Sequence, residues 1–418
     1  MKLTSKIMLG LVLGAAVGVG TQASGVPAAR DLVLSIEPLG TAFIRLISMV
    51  VVPLVVASLF VGVCSLGDVR QLGRLGAKTL VYFLITTMVA ATLGLSVAVA
   101  FQPGSTLSPE VRDRIAAEYM EGSDQRAEVA GSISLVQRVI EIIPRNPVRA
   151  AVDMDLLPLI FATLFFGAAA SVLGKERRAP LLRFFEGVDA VAAVMVDWIM
   201  RLAPYAVFVL IAAALTRFGA ELLRGLLVYA VLVITAEAIH AFGVLSIALR
   251  LGGVRVRAFW QHVAEAPLLA FATASSNAAL PVSLEVAERK LGVSGQLTSF
   301  ILPVGATLNM NGSALYKGLT VVFLAQVYGV PLGAPEYGTI IVTSTLAALA
   351  GVGVPGSSLV TTLIVLGAIG MGPQAAAGIA LVAGLDRFLD MFRTGVNVLG
   401  DLTAVAVIAK SEGEEIAA

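Results

Sequence analysis

Uninterrupted apolar runs constrain this chain more than any other feature. Residues 46–66, 80–101, 156–172 and 226–249 are almost free of charge. Each approaches the ~20 residues that a helix needs to cross a ~30 Å hydrocarbon core. Such runs leave no polar face for water. Inside a bilayer the backbone must satisfy its own hydrogen bonds, and a continuous rather than alternating apolar pattern selects helices for that. Composition agrees: 58% of residues are hydrophobic and 14% are charged, and mean hydropathy is +0.92. The expectation is an all-α polytopic membrane protein with the lipid bilayer as its solvent.

Helical spans are predicted near 6–24, 38–66, 78–101, 133–173, 189–216 and 224–250. Three short basic loops set the orientation: Arg70, Arg74 and Lys78 after the second span, Lys175, Arg177, Arg178 and Arg183 after the fourth, and Arg250, Arg255 and Arg257 after the sixth. All three read as inside loops. Residues 102–132 carry Glu110, Asp113, Glu118, Glu121, Asp124 and Glu128 and read as an outside loop. Both termini then lie on the cytoplasmic side of a plasma (inner) membrane. Lys2 and Lys6 before the first apolar run imitate a secretory signal. Because the rest of the chain is itself membrane-spanning, a retained first helix is favoured. The net charge of +1 points to no nucleic-acid partner. The single cysteine, Cys64, excludes an internal disulfide, and His240 and His262 lack metal-ligand spacing.

Beyond residue 258 the apolar segments are interrupted. Residues 271–281 read FATASSNAALP and residues 347–358 read AALAGVGVPGSS. Each precedes a helix with a polar interruption containing Asn-x-x-Gly, at Asn309–Gly312 and Asn397–Gly400. A small-residue hairpin followed by such a helix therefore occurs twice. Broken segments at matching places in two halves point to a transporter site at the midplane. Irregular backbone survives at that depth only against protein or a cavity. The alternative is that Gly, Ser and Pro merely allow close helix packing. The last such helix also buries charge: residues 389–401 read LDMFRTGVNVLGD, between apolar runs 375–384 and 402–409. Each charge at bilayer depth costs about 2.5–3.5 kcal/mol on insertion scales. Asp390, Arg393 and Asp401 are therefore expected to face one another or a polar cavity.

NMNGSALY (309–316), GVPGSS (353–358) and LDMFRTGVNVLGD (389–401) resemble the glutamate/aspartate transporter family, the dicarboxylate/amino acid:cation symporters. The resemblance extends more weakly to Pro53, to 82–87 and to IIPRNP at 142–147. It implies eight transmembrane helices plus two re-entrant helical hairpins, inverted repeats, an elevator mechanism and a homotrimer. Hairpin one would span about 258–290 and hairpin two about 336–371. Residues 1–70 and 106–220 would supply scaffold helices one, two, four and five, with an extracellular loop. Residues 71–105 and 221–418 would form the transport domain. The implied function is Na+-driven uptake of L-aspartate or L-glutamate.

An acidic amino acid presents one ammonium and two carboxylates. Asp390 suits the ammonium. Arg393, three residues on and on the same helix face, suits the side-chain carboxylate, which its fork can take bidentately. The resemblance assigns them those roles. It extends the site to Thr394 and Asn397, to Ser276 as α-carboxylate donor, to Ser313, and to Val354 and Ser358 at the hairpin-two gate. The alternative for Asp390 and Arg393 is an internal ion pair that fastens the helix. One sodium site is implied at Gly305, Asn309, Asn397 and Asp401, a hard-oxygen set with one carboxylate. A second is implied from backbone oxygens near Thr307, Ala348, Leu349 and Gly351.

The third cation site departs from the family pattern. Asn311 stands where the family has Asp, and Phe83 where it has Tyr, while Thr86 and Thr87 remain. Lys317 stands where relatives carry Gln or Glu. One reading is a tethered ammonium in place of the third Na+. Others are H+ coupling through Lys317, or a lysine that snorkels to water. The extra family arginine is absent at Ala274 and at Met391. A proton-coupled carrier of acidic amino acids or dicarboxylates, with little Na+ dependence, is the alternative transporter. A channel or a membrane enzyme is a weaker reading, for want of a filter ring or a nucleophile–base pair.

Overall fold

The computed structural model describes residues 3–65, 73–108, 110, 143–153, 156–349 and 357–417. These residues are helical throughout, with no strand among them. The first half gives α1 (Leu3–Ser24), α2 (Pro27–Ser35), α3 (Glu37–Ser65), α4 (Gly73–Phe101), α5 (Pro147–Val152), α6 (Leu156–Ser171) and α7 (Lys175–Phe218). Next, α8 (Ala220–Ala238) runs through a π-helical stretch, Ile239–Val244, into α9 (Leu245–Leu251). Helices α10 (Val256–Val263), α11 (Glu265–Thr273) and α12 (Ser276–Glu285) follow, then α13 (Gly295–Leu308) and α14 (Asn311–Val327). The chain closes with α15 (Ala334–Leu349), α16 (Ser357–Ala368) and α17 (Gly372–Ser411).

Five stretches among the described residues are long and apolar enough to cross a membrane: Ser5–Ser24, Arg74–Thr106, Lys175–Phe218, Ala220–Leu251 and Leu381–Ser411. Phe165, Trp198 and Phe242 point outward, as a lipid-facing surface requires. This is an integral membrane protein. Helices α1, α3, α6 and α7 pack on one another. A second group joins α4, α8, α14 and α17 with two hairpins, α11–α12 and α15–α16. Helix α17 also touches α1, α3 and α7, so it stands where the two groups meet.

Two expectations need correction. Basic residues expected in loops are largely helical: Arg74 and Lys78 lie in α4, Arg250 in α9 and Arg257 in α10, and the segment Lys175–Arg183 is not a loop either. It forms the first turns of the 44-residue α7, whose Lys, Glu, Arg and Leu residues are good helix formers outside the apolar span. The second Asn-x-x-Gly also does not interrupt its helix, because α17 is continuous from Gly372 to Ser411. The first does break the chain: Asn309 and Met310 leave helical geometry between α13 and α14.

At hairpin one the arms meet at Ala274, which is left-handed at φ +49°. Ser275 then caps α12, its hydroxyl oxygen accepting from the Ala278 amide at 3.2 Å. The expected hairpin-two tip, including Val354 and Gly351, lies outside the described residues. Near the C-terminal end of α17, Glu412 accepts from Lys78 at 2.5 Å and pairs with Arg74. The Ala417 amide donates to the Leu291 carbonyl at 2.8 Å.

Candidate functional site

The break at Asn309–Met310 crosses α17, and the closeness of that crossing organises the site. A methyl group on Gly312 would sit 2.4 Å from the Arg393 carbonyl oxygen, and one on Gly400 would sit 2.6 Å from Asn311 Nδ2. Only glycine allows the two backbones this near. The broken end of α14 has unpaired amides, as every helix start does. Asn397 Oδ1 satisfies two of them, accepting from Gly312 N at 2.8 Å and Ser313 N at 3.4 Å. The second Asn-x-x-Gly thus caps the helix that the first one breaks.

Arg393 is fully buried. Its Nε donates to Asp390 Oδ1 at 2.9 Å and its Nη1 to Asp386 Oδ1 at 2.6 Å. Its guanidinium carbon lies 4.4 Å from the centre of the Tyr316 ring, a cation–π contact. Nη2 has no hydrogen-bond partner among the described residues. Thr394 Oγ1 donates to the Asp390 carbonyl at 2.6 Å and reaches Asp390 Oδ1 at 3.3 Å. Arg387 Nη1 stands 3.6 Å from Asp390 Oδ2. A buried guanidinium between two carboxylates, with one nitrogen left over, can donate to a third anionic oxygen.

Around this cluster, Ser358 donates to Ser313 Oγ at 3.0 Å, which ties hairpin two to α14. Asn397 Nδ2 also reaches Ser313 Oγ, at 3.5 Å. Ser276 is buried at the start of α12. The other arm of that hairpin packs on α17, with Phe271 edge-on to Phe392 at 5.0 Å. The residues expected to bind substrate, from α12, α14, α16 and α17, therefore come from elements that pack on one another near this crossing.

Below it lies an oxygen-rich group. Asn309 Nδ2 donates to Asp401 Oδ1 at 2.9 Å, and Gly305 lies directly against that carboxylate. Asn309 Oδ1 is buried without a partner among the described residues, and a hard cation could use that oxygen. Thr87 donates to Asn311 Oδ1 at 2.8 Å. Thr86 does not join this group, since its hydroxyl bonds the Tyr82 and Phe83 carbonyls of its own helix. The Phe83 ring abuts Gly305. Lys317 is fully buried, and its ammonium donates to the Ser313 carbonyl at 3.2 Å. Thr307 is half-buried and bonds Pro303 of its own helix, while Ala348 and Leu349 end α15 in buried positions.

Sequence reasoning missed Asp386, Arg387 and the Tyr316 ring. The signal was present: Asp386, Asp390 and Arg393 follow the i, i+4, i+7 spacing of one helix face.

The pattern of the sodium:dicarboxylate symporter family matches residues 3–411. The chain is 37% identical to a proton/sodium-glutamate symport protein of Bacillus subtilis, over 98% of this chain and 93% of that one. It is 35% identical to a proton/glutamate-aspartate symporter of Escherichia coli, over 90% of this chain and 85% of that one. A C4-dicarboxylate transport protein of Pseudomonas aeruginosa is 30% identical, over 98% of this chain and 88% of that one. With one family pattern running the length of the chain, and relatives this similar over nearly all of it, the protein belongs to the sodium:dicarboxylate symporter family.

Proposed function

We propose that this protein takes up L-aspartate or L-glutamate across the plasma membrane, driven by Na+. The observation that carries the reading is Arg393: fully buried, beside Asp390, with one guanidinium nitrogen still without a partner. In this reading Arg393 takes the side-chain carboxylate of the substrate and Asp390 its ammonium. Thr394 and Asn397 flank them. Ser276 and Ser313 serve the remaining polar atoms, and Ser358 with Val354 closes the gate. Relatives named as glutamate and glutamate-aspartate symporters support an acidic amino acid. Membership of a symporter family makes this a carrier and not an enzyme.

Na+ is co-substrate. One ion is assigned to Gly305, Asn309, Asn397 and Asp401, and a second to backbone oxygens near Thr307, Ala348, Leu349 and Gly351. The third family site, around Phe83, Thr86, Thr87 and Asn311, is assigned instead to the Lys317 ammonium. The complete burial of Lys317 on the helix that also carries Asn311 is what supports that assignment. The transport cycle is read as an elevator in a homotrimer with both termini cytoplasmic. Scaffold helices come from 1–70 and 106–220, and the moving domain from 71–105 and 221–418.

A proton-coupled carrier of the same substrates, or of dicarboxylates, is the second reading. It is favoured by the proton named for two of the relatives and by the dicarboxylate named for a third. Radiolabelled aspartate uptake into proteoliposomes, with Na+ and pH gradients imposed separately, tests both. Uptake that follows the Na+ gradient supports the first reading. Uptake that ignores Na+ and follows pH replaces it with the second.

A further inference from the structure

Helix α8 carries a buried stripe through Leu222, Leu226, Tyr229, Val233 and Ala236. That spacing is the inward face of a helix, where an apolar residue is the stable choice at each position. At 237 the stripe carries Glu instead. Glu237 is 1% exposed, and neither carboxyl oxygen has a hydrogen-bond partner among the described residues. One turn on, His240 is equally buried, with neither ring nitrogen partnered. Two residues after Glu237 the helix widens into the π-helical stretch Ile239–Val244, which contains His240, a geometry that concentrates at functional sites. A buried carboxyl group without donors is costly as an anion, and even as a neutral acid it contributes less than Leu would. Structure alone gives no reason to keep Glu there.

We propose that Glu237 is the binding site of a co-transported proton. This rests on the acidic-substrate reading above and names a second coupled cation for it. Helix α8 packs on α4, α7, α14 and α17. The ionisable side chains on those elements are Arg74, Lys78 and Tyr82 on α4, and Asp189, Asp197, Arg201 and Arg217 among those of α7. Tyr316 and Lys317 lie on α14, and Asp386, Arg387, Asp390, Arg393, Asp401 and Lys410 on α17. Helix α17 thus brings Arg393, with its partners Asp386 and Asp390, to the helix that bears Glu237.

That link supplies the coupling. When Arg393 takes a substrate carboxylate, negative charge is added to the helix that packs on α8, which favours the protonated form of a buried carboxyl there. By reciprocity a proton on Glu237 strengthens binding of an acidic substrate at Arg393. The step is simple protonation: a proton from water on one side forms the carboxyl O–H, and the same bond breaks to release it on the other. Lys317 is a poorer proton carrier, because its ammonium already donates to a carbonyl.

The test measures aspartate affinity against pH in the purified full chain, and proton uptake on substrate addition in weak buffer with a pH-sensitive dye. Wild type should bind more tightly as pH falls, by up to about tenfold per pH unit where one proton is linked. It should take up protons on binding. Glu237→Gln should flatten that dependence and abolish the proton uptake, while aspartate/aspartate exchange in proteoliposomes persists. A wild type that binds aspartate without taking up protons overturns the proposal, whatever the variants do. So does Glu237→Gln with the wild-type pH slope, or His240→Gln that alone removes it. If wild type binds succinate but neither acidic amino acid, the substrate reading has failed instead, and the same proton measurement is made with succinate.

Discussion

Asn397 Oδ1 caps the broken start of α14 by accepting from the Gly312 amide at 2.8 Å. This single bond makes α17 the support of the helix it crosses. Replacing a capping side chain by Ala costs about 0.5–2 kcal/mol. Asn397→Ala should therefore lower the melting temperature of the purified protein in detergent. Asn397→Asp, which keeps the accepting oxygen, should hold most of it. Equal melting of Asn397→Ala and wild type would remove the capping role.

Arg393→Cys should abolish acidic-substrate binding. A charge-assisted hydrogen bond contributes about 1.5–3 kcal/mol, so losing the one that Nη2 offers means roughly tenfold to a hundredfold in affinity, before the lost positive charge is counted. The same change strands Asp386 and Asp390, and breaking a buried pair costs about 3–5 kcal/mol. The double variant Arg393→Cys with Asp386→Asn should regain thermal stability without regaining aspartate binding. Unchanged aspartate affinity in either variant contradicts the assigned role of Arg393.

If the Lys317 ammonium replaces a sodium ion, restoring a carboxylate and removing the ammonium should bring the ion back. Asn311→Asp combined with Lys317→Gln should make aspartate affinity depend more steeply on Na+ concentration, by about one further ion. Titration of aspartate binding over a range of Na+ concentrations reads this directly. An unchanged slope would leave Lys317 without a cation role.

At the membrane edge, the Lys78 ammonium bonds Glu412 and, with Arg74, holds its carboxyl below the ordinary value of 4.5. A depressed carboxyl contributes stability above its unfolded value and loses it as pH falls through the lowered folded value. The tail 412–417 should stay protected near neutral pH and loosen only in acid below the usual carboxylate range. Hydrogen exchange of these amides checks it. Glu412→Gln should loosen the tail at neutral pH and erase the acid step.

The parts of this molecule legible in sequence were those governed by periodicity and cost. Uninterrupted apolar runs selected helices, two of which lie in stretches long and apolar enough to cross a membrane, and charges at 390, 393 and 401 had to find partners. What stayed hidden was set by tertiary contact. The two Asn-x-x-Gly segments look alike, yet one breaks a helix and the other caps the break, because their roles are decided by the crossing. Asp386 lay beyond the edge of the motif that drew notice, although its spacing from Arg393 put both on one face. Lys175–Arg183 reads as a loop by charge alone, because helix propensity outside the apolar span leaves no periodic mark. The π-helical stretch after Ala238 has no compositional signature at all.

The fit at Gly312 also bears on how such a carrier could be re-engineered. With the Arg393 carbonyl 2.4 Å from where a first side-chain carbon would stand, the anchor of the guanidinium has no nearby variant to explore. Directed evolution toward a different cargo would find this crossing closed to stepwise change. It would have to work through the side chains that reach in from the hairpins, Ser276 and Ser358, where one substitution need not disturb the backbone beneath.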